Sequence, residues 1–314
     1  MEKRNIAING LVDIHTHSGG MDFSNLLRGS YPYCQDLSDL YFKGVENNVP
    51  HQVVFPMPTT CYYNTKEYWN TGAYTPSGLC EFPFEVENKH LLQAINSIPY
   101  EPTHFLPFLS FSLQDQVAAQ EKEIVRLSSE VMHIYGLKLH TSADQSRADT
   151  IETKSQFLDI ASDLNIPFMI HTGFIPVASS LGVIEMAAKH SKNRFCVAHF
   201  GGFSECFADQ LERYPYNNVF FDTSGLFSLC KWICKKHPKG IITLDYANPL
   251  SVLSYYAARF PNHILWGSDA PWYNSINLNE RSMTSLRTYA QEVHAASTID
   301  LEIIINNSSL YLFG

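Results

Sequence analysis

The chain has 314 residues, with 22 Lys and Arg against 31 Asp and Glu, and its formal net charge at pH 7 is −9. This acidic balance argues against a protein that binds a nucleic-acid backbone, because such a protein needs a clustered basic face. Hydrophobic residues make up 45% of the sequence and charged residues 17%. The chain can therefore bury a large core, and general disorder is excluded.

The sequence contains no run of about 18 apolar residues, the length that a membrane-spanning helix requires. Residues 1–9 are charged and polar and lead into a short apolar run, which is not the pattern of a secretory signal peptide. Seven cysteines show no regular spacing. Reduced thiols in a cytoplasmic protein are the expectation.

Short apolar runs alternate with stretches of helical periodicity along the chain. The apolar runs predict strands at 6–14, 51–55, 105–111, 134–139, 168–171, 194–199, 219–222 and 264–266. The periodic stretches predict helices at 37–47, 88–98, 114–131, 151–164, 181–190, within 244–260, at 281–295 and at 298–313.

Strands that alternate with helices over this length predict a TIM-type (β/α)8 barrel of the α/β class. A doubly wound sheet is the alternative, but no glycine-rich nucleotide fingerprint follows the first strand, which also disfavours an oxidoreductase. No linker marks a boundary, so residues 1–314 are expected to form one domain. The longest irregular segment, 56–83, is rich in Tyr, Trp and Thr and is expected to lie over the C-terminal mouth of the barrel.

Side chains suited to metal binding follow four of the predicted strands. His15 and His17 come at the end of the first strand, where residues two apart point to the same face. His171, His199 and Asp269 follow the fifth, sixth and eighth strands. The C-terminal ends of barrel strands surround the active site, so these groups should converge. Imidazoles with one carboxylate suit a divalent transition metal, zinc first.

The motifs around these residues resemble the amidohydrolase superfamily. They are Asp-x-His-x-His at 13–17, His-Phe-Gly-Gly at 199–202, Phe-Asp-Thr-Ser-Gly at 221–225, Gly-Ser-Asp-Ala-Pro at 267–271 and Ile-Asn-Asn at 305–307. With His171, they extend over nearly the whole chain. They are most similar to the amidohydrolase-related branch, amidohydrolase 2, which includes metal-dependent hydrolases and non-oxidative decarboxylases.

The resemblance implies one metal ion, held by His15, His17, His171 and Asp269, with zinc favoured and manganese as the alternative. Bound zinc lowers the pKa of a coordinated water from about 16 to about 7. Asp269 would act as a ligand and as the base that takes the proton from this water. His199 would polarise the substrate or transfer a proton.

Lys138, near the end of the fourth strand, leaves the number of metal ions open. Other members of the superfamily carry a carbamylated lysine there, which bridges two metals, and His199 would then bind the second ion. The alternative is a charged Lys138 that orients a ligand or binds an anionic substrate. We expect one metal.

Candidate substrate-binding residues are indicated by position alone. Tyr63 and Trp69 belong to the aromatic segment 56–83, where they would either roof a pocket or pack the segment onto the barrel. Arg28 and Arg147 follow the first and fourth strands and are candidates for pairing with a substrate carboxylate. Trp272 follows Asp269 by three residues and is expected in the pocket wall.

The leading hypothesis is a metal-dependent hydrolase that uses a metal-activated water on an amide, lactone or ester bond of a small molecule, which can itself carry a carboxylate. The first alternative is a metal-dependent non-oxidative decarboxylase, a lyase, acting on an aromatic or enoic acid. The second is a barrel that binds a small molecule without catalysis, which the complete set of site residues disfavours. The expected partner is a small-molecule substrate, with no nucleic acid or membrane; a homo-oligomer is an open alternative.

Overall fold

The computed structural model describes residues 6–19, 30–31, 35–71, 73–99, 103–202, 207–236, 244–273, 276–277, 282–283 and 287–314. Within these ranges, eight parallel strands pair in chain order to form one sheet. They are β1 (Val12–Ser18), β2 (His51–Pro56), β3 (Phe105–Phe111), β4 (Gly136–Leu139), β5 (Phe168–Ile170), β6 (Phe195–Val197), β7 (Val219–Asp222) and β8 (Ile264–Leu265).

Helices surround this sheet. They are α1 (Leu37–Glu46), α2 (Thr65–Thr71), α3 (Glu85–Ser97), α4 (Val117–Glu130), α5 (Thr141–Asp144), α6 (Ile151–Lys154), α7 (Phe157–Leu164), α8 (Ser180–Lys189), α9 (Phe207–Arg213), α10 (Leu226–Lys236), α11 (Pro249–Arg259), α12 (Tyr289–Ala296) and α13 (Leu301–Phe313). The segments Ser30–Tyr31, Ile276–Asn277 and Ser282–Met283 form a small antiparallel sheet.

Backbone hydrogen bonds join the last strand to the first. The Ile14 N–H donates to the Trp266 carbonyl at 3.1 Å, and the His17 N–H donates to the Ala270 carbonyl at 2.8 Å. Between them, the Asp269 N–H donates to the His15 carbonyl at 2.9 Å. This seam continues past the end of β8 and closes the barrel, so the predicted (β/α)8 fold is confirmed.

Strand β3 illustrates why apolar runs become barrel strands. All of its residues are buried. Leu106 and Phe108 belong to the cluster inside the barrel. Phe105, Leu109 and Phe111 belong to the cluster between the strands and the helices. Parallel strands covered on both faces need such continuous apolar sequences.

The C-terminal helix α13 covers the N-terminal end of the barrel. Its Tyr311 and Leu312 pack in the barrel interior, and the Tyr311 hydroxyl donates to the Phe168 carbonyl at the start of β5, at 3.0 Å. The N-terminal end of the barrel is thereby filled by side chains of α13.

Several helices differ from the sequence prediction. The predicted helix 151–164 is divided into α6 and α7, because Ser155 between them is extended, with φ −149° and ψ 167°. Helices α9 and α10 were not predicted, and α2 lies in the segment predicted as irregular. No helix within the described ranges has the length and apolar character needed to cross a membrane.

Candidate metal centre

Three potential metal ligands converge where β1 and β8 end. His15 Nε2 lies 3.4 Å from Asp269 Oδ1, and His17 Nε2 lies 3.7 Å from the same oxygen. Both imidazoles are buried, and the Asp269 side chain is 14% exposed. Zinc bonds in a tetrahedral site place ligand atoms about 3.3 Å from one another. These three atoms therefore fit around one ion.

A β-bulge in β1 contributes to this placement. Asp13 pairs with Gln52 and Thr16 pairs with Val54, so β1 has one more residue than β2 between the two pairs. A bulge bends its strand and redirects side chains. The His17 Nδ1 lies 3.2 Å from the Pro56 carbonyl. Because a carbonyl only accepts, Nδ1 carries the proton and the Nε2 lone pair is left for a metal.

His15 is oriented by a second carboxylate. Its Nδ1 lies 2.6 Å from Oδ2 of Asp222, the last residue of β7. Burial by itself would raise the pKa of the Asp222 carboxyl, but His15 and His199 hold that pKa below its usual range. Asp222 is therefore an ionised acceptor.

Asp222, His15 and His199 form a second group of potential metal donors. The distance of 2.6 Å between His15 Nδ1 and Asp222 Oδ2 is shorter than the separation of about 3.3 Å between two ligands of one tetrahedral zinc. It matches a charge-assisted hydrogen bond instead. The group that contains His17 and Asp269 therefore fits a tetrahedral metal better.

His171 and His199 contact each other. His199 Nε2 lies 3.1 Å from His171 Nδ1, and the His140 ring stacks on the His171 ring with centroids 3.9 Å apart. The structure thus groups His15, His17 and Asp269 closely and places His171 beside His199. A role for His171 as the fourth ligand stays a prediction.

The backbone around His199 is strained. His199, Phe200 and Gly201 have φ values of 57°, 49° and 66°, and Asp269 has a φ of 59°. This left-handed conformation costs about 1–2 kcal/mol for each residue other than glycine. Strained residues cluster at functional sites, and here they include both of the predicted catalytic side chains.

Lys138 is fully buried beside His15. Its Nζ lies 3.3 Å from His15 Nε2 and 4.4 Å from the centre of the Phe55 ring. Burial lowers the pKa of Lys138 to about 8, although Asp222 and Asp269 oppose this effect. A neutral amine is therefore accessible near neutral pH, as carbamylation requires. Carbamylation itself stays a prediction.

Asp269 is ionised less readily than a surface aspartate. Burial raises the pKa of its carboxyl well above the usual range, and the nearby Lys138 offsets only part of this increase. A cation close to a carboxylate favours the ionised form. A metal bound among the three ligands would therefore favour the state in which Asp269 can bind it.

Trp272 lies beside the three ligands. Its half-buried ring is 6.3 Å from the His17 ring, at an interplanar angle of 83°. The exposed Arg147 forms two hydrogen bonds with Asp149, and its pairing with a substrate carboxylate stays a prediction. Arg28 and the Trp69 side chain lie outside the described residues.

The tyrosines of the aromatic segment are bound to the barrel. The Tyr63 hydroxyl lies 3.3 Å from Ser112 Oγ, after β3. The Tyr74 hydroxyl donates to the Ala143 carbonyl, after β4, at 2.9 Å. Both contacts fasten the segment over the loops that follow these strands. Contact between Tyr63 and a substrate stays a prediction.

Sequence reasoning assigned no role to two buried carboxylates of the site, Asp13 and Asp222. Asp13 Oδ1 accepts the N–H groups of His15 at 3.2 Å and Ser268 at 2.9 Å. It therefore ties the ligand-bearing ends of β1 and β8 together. Asp222 could have been identified as a site residue from the sequence, because it lies at the end of a predicted strand, as the predicted ligands do.

Three solved structures share the fold of this chain. A probable 2-pyrone-4,6-dicarboxylic acid hydrolase from Acinetobacter baumannii, with citric acid bound, is 17% identical, covers 97% of this chain and 96% of its own, and has a TM-score of 0.55. The 5-carboxyvanillate decarboxylase from Sphingomonas paucimobilis is 12% identical, with coverages of 96% and 98% and a TM-score of 0.59. The 2,6-dihydroxybenzoate decarboxylase from Rhizobium is 13% identical, with coverages of 96% and 98% and a TM-score of 0.61. At these identities the likeness shows the fold alone.

The sequence has no significant match among the curated proteins. The family model described as amidohydrolase, in contrast, matches residues 85–280. Members of this family are enzymes that generally depend on divalent metals. The matched region runs from α3 to beyond β8 and includes more than half of the sequence, so the chain belongs to the amidohydrolase family.

Proposed function

We propose that the protein is a metal-dependent hydrolase that cleaves an amide, lactone or ester bond of a small molecule. The observation that carries this proposal is the convergence of His15 Nε2, His17 Nε2 and Asp269 Oδ1 at the C-terminal end of the barrel. Membership of a family of hydrolases and decarboxylases supports it.

The proposed metal ligands are His15, His17 and Asp269, with His171 as the fourth. A zinc or manganese ion bound there would act as a Lewis acid and would lower the pKa of a coordinated water. One ion is proposed, since His15 Nε2, His17 Nε2 and Asp269 Oδ1 fit around a single ion.

Asp269 and His199 are proposed to move protons. Asp269 faces the imidazoles through Oδ1, and we assign the role of base to its carboxylate. The His199 Nδ1 lies 3.2 Å from the Ser224 carbonyl, so Nδ1 carries the proton. The lone pair is thus on His199 Nε2, which faces His171 Nδ1 at 3.1 Å, and we assign to this atom the transfer of a proton from and to a reacting group. Trp272 would limit the access of bulk water.

Metal content provides the first test. We expect about one zinc or manganese ion per chain, measured by elemental mass spectrometry on protein purified without chelators or added metal. Two ions would replace the mononuclear site with a binuclear one and would make Lys138 a carbamate. No metal, even after incubation with zinc and manganese, would contradict the proposal.

Loss of the Asp269 carboxylate should abolish turnover. We expect Asp269→Asn to lower kcat by about 10²-fold or more, because it removes a ligand and a base together. Small carboxylated lactones, aryl esters and anilides would be the substrates, with acid release followed by a pH indicator. The exposed Asp163→Asn, on α7, is the matched control and should retain full activity.

Two results would count against this assignment. Full activity in Asp269→Asn would remove Asp269 from the mechanism. Release of carbon dioxide from aromatic or enoic acids, without cleavage of any ester, lactone or amide, would assign the site to a decarboxylase.

A further inference from the structure

We propose that Asp222 is a positioning residue that fixes the ring protons of both His15 and His199 on Nδ1, so that each imidazole keeps its lone pair on Nε2. This inference rests on the proposed metal-dependent function, which it deepens. Asp222 itself would touch neither the metal nor the substrate.

The first half of the argument concerns His15. A neutral imidazole carries one N–H, and the nitrogen that holds it is set by the partner of that nitrogen. His15 Nδ1 lies 2.6 Å from Asp222 Oδ2, and an ionised carboxylate only accepts. The proton is therefore on Nδ1, and the lone pair is on Nε2, 3.4 Å from Asp269 Oδ1.

The second half concerns His199. Asp222 Oδ1 accepts the His199 backbone N–H at 2.8 Å and the Ser224 hydroxyl at 2.5 Å. Because the hydroxyl proton is directed to Asp222, Ser224 Oγ acts as an acceptor for His199 Nδ1, at 2.8 Å. One carboxylate thus fixes the proton on Nδ1 of His15 directly. Through the Ser224 hydroxyl it favours the same tautomer in His199, whose Nδ1 also faces the Ser224 carbonyl at 3.2 Å.

The hydrogen bonds of Asp222 exclude a direct chemical role. Oδ1 also accepts the Ser224 N–H at 3.1 Å, so this oxygen has three donors and the other oxygen holds His15. Asp222 is fully buried. A carboxylate with its acceptor sites filled in this way has no position left for a substrate proton.

These contacts predict how an amide at this position would behave. In Asp222→Asn, the side-chain amide oxygen would occupy the Oδ1 position, which faces three hydrogen-bond donors. The NH2 group would then occupy the Oδ2 position and face His15 Nδ1. His15 would then have to accept at Nδ1 and carry its proton on Nε2, the atom proposed to bind metal. Loss of such an orienting partner typically weakens metal binding about 10–100-fold.

The test measures the tautomer in metal-free protein. Long-range ¹H–¹⁵N spectra of histidine-labelled protein distinguish Nδ1–H from Nε2–H, and a His15→Gln variant assigns the His15 signals. We expect the Nδ1–H form in wild type and the Nε2–H form in Asp222→Asn, with zinc affinity about 10–100-fold weaker. Asp13→Asn is the matched control: Asp13 is also buried and accepts the His15 backbone N–H, but it does not contact the ring, so the tautomer should not change.

Two outcomes would overturn the proposal: the Nε2–H form of His15 in wild type, or wild-type zinc affinity in a folded Asp222→Asn variant. If that variant fails to fold, the wild-type spectrum still decides. Failure of the proposed function is recognised separately. The proposed function is contradicted if the wild-type protein binds no zinc, or if it binds zinc without hydrolysing any ester, lactone or amide. In either case, the tautomer measurement still tests the positioning role of Asp222.

Discussion

Gly202 shows how closely the backbone packs beside the site at the level of single residues. A Cβ atom there would lie 2.6 Å from the N and Cα atoms of Gly173, and Gly202 has a φ of +68°. Gly173 is two residues beyond His171. A side chain at 202 would therefore both strain its own backbone and displace the segment that carries His171.

Replacing Gly202 should be more costly than replacing another glycine with a similar backbone. Gly202→Ala should lower the free energy of unfolding by about 2–4 kcal/mol, since steric overlap adds to the cost of the left-handed backbone. Gly78 has a φ of +79° but no atom within 4 Å of its added Cβ, so Gly78→Ala should lose only about 1–2 kcal/mol. Urea unfolding measures both variants, and equal losses would show that overlap contributes nothing.

Strand-end residues were the part of the site that sequence could locate. His15, His17 and Asp269 each follow an apolar run, and the topology of a barrel then brings them to one end. The sequence could not reveal the orienting contacts. Partners such as Ser268 for Asp13 and His15 for Asp222 are distant in the chain, and the hydrogen bonds depend on rotamers that no periodicity encodes.

At the level of elements, α12 begins with a capping box. Thr288 Oγ1 accepts the Gln291 N–H, and the Gln291 side chain accepts the Thr288 N–H at 2.9 Å. The helix also carries Tyr289, whose hydroxyl donates to Asp13 Oδ2 at 2.9 Å. The cap therefore supports a contact that reaches Asp13, near the start of β1.

Removal of the cap should destabilise the protein modestly. Thr288→Ala is expected to lower the free energy of unfolding by about 1 kcal/mol, because a helix N–H loses its acceptor. The exposed Thr153→Ala, on α6, should change it by less than about 0.5 kcal/mol. Thermal and urea unfolding of the pair provide the measurement, and indistinguishable variants would count against the cap.

Some elements were visible in the sequence and others were not. Strands β3 and β7 have the predicted bounds, because a strand buried on both faces is a continuous apolar run with a clear beginning and end. The start of α12 was predicted too early, at 281, although Thr288 and Gln291 have the spacing of a capping box. The bulge in β1 depends on pairing with β2 and has no local signature.

For the whole molecule, buried neutral histidines link stability to pH. His104, which precedes β3, is buried, and its Nε2 lies 3.1 Å from Gln52 Oε1. Burial, assisted by His51, lowers its pKa from 6.5 to about 4. As the pH falls below 6.5, the unfolded chain binds a proton before the folded protein does, so unfolding becomes more favourable.

The stability contributed by neutral His104 should be present above pH 6.5 and should be lost as the pH falls towards 4. We expect this residue to account for a loss on the order of 2 kcal/mol across that interval. His104→Gln removes the titrating group and should show a correspondingly shallower decline in urea unfolding experiments between pH 7 and pH 4. Parallel curves for wild type and variant would rule out this contribution.

The seam between β1 and β8 also determines when the metal centre can form during biosynthesis. His15 and His17 leave the ribosome about 250 residues before Asp269 does. Contacts between residues so distant in the chain are late events in folding. A nascent chain therefore has no assembled centre, and a metal ion can stabilise the protein only after its first and last strands have paired.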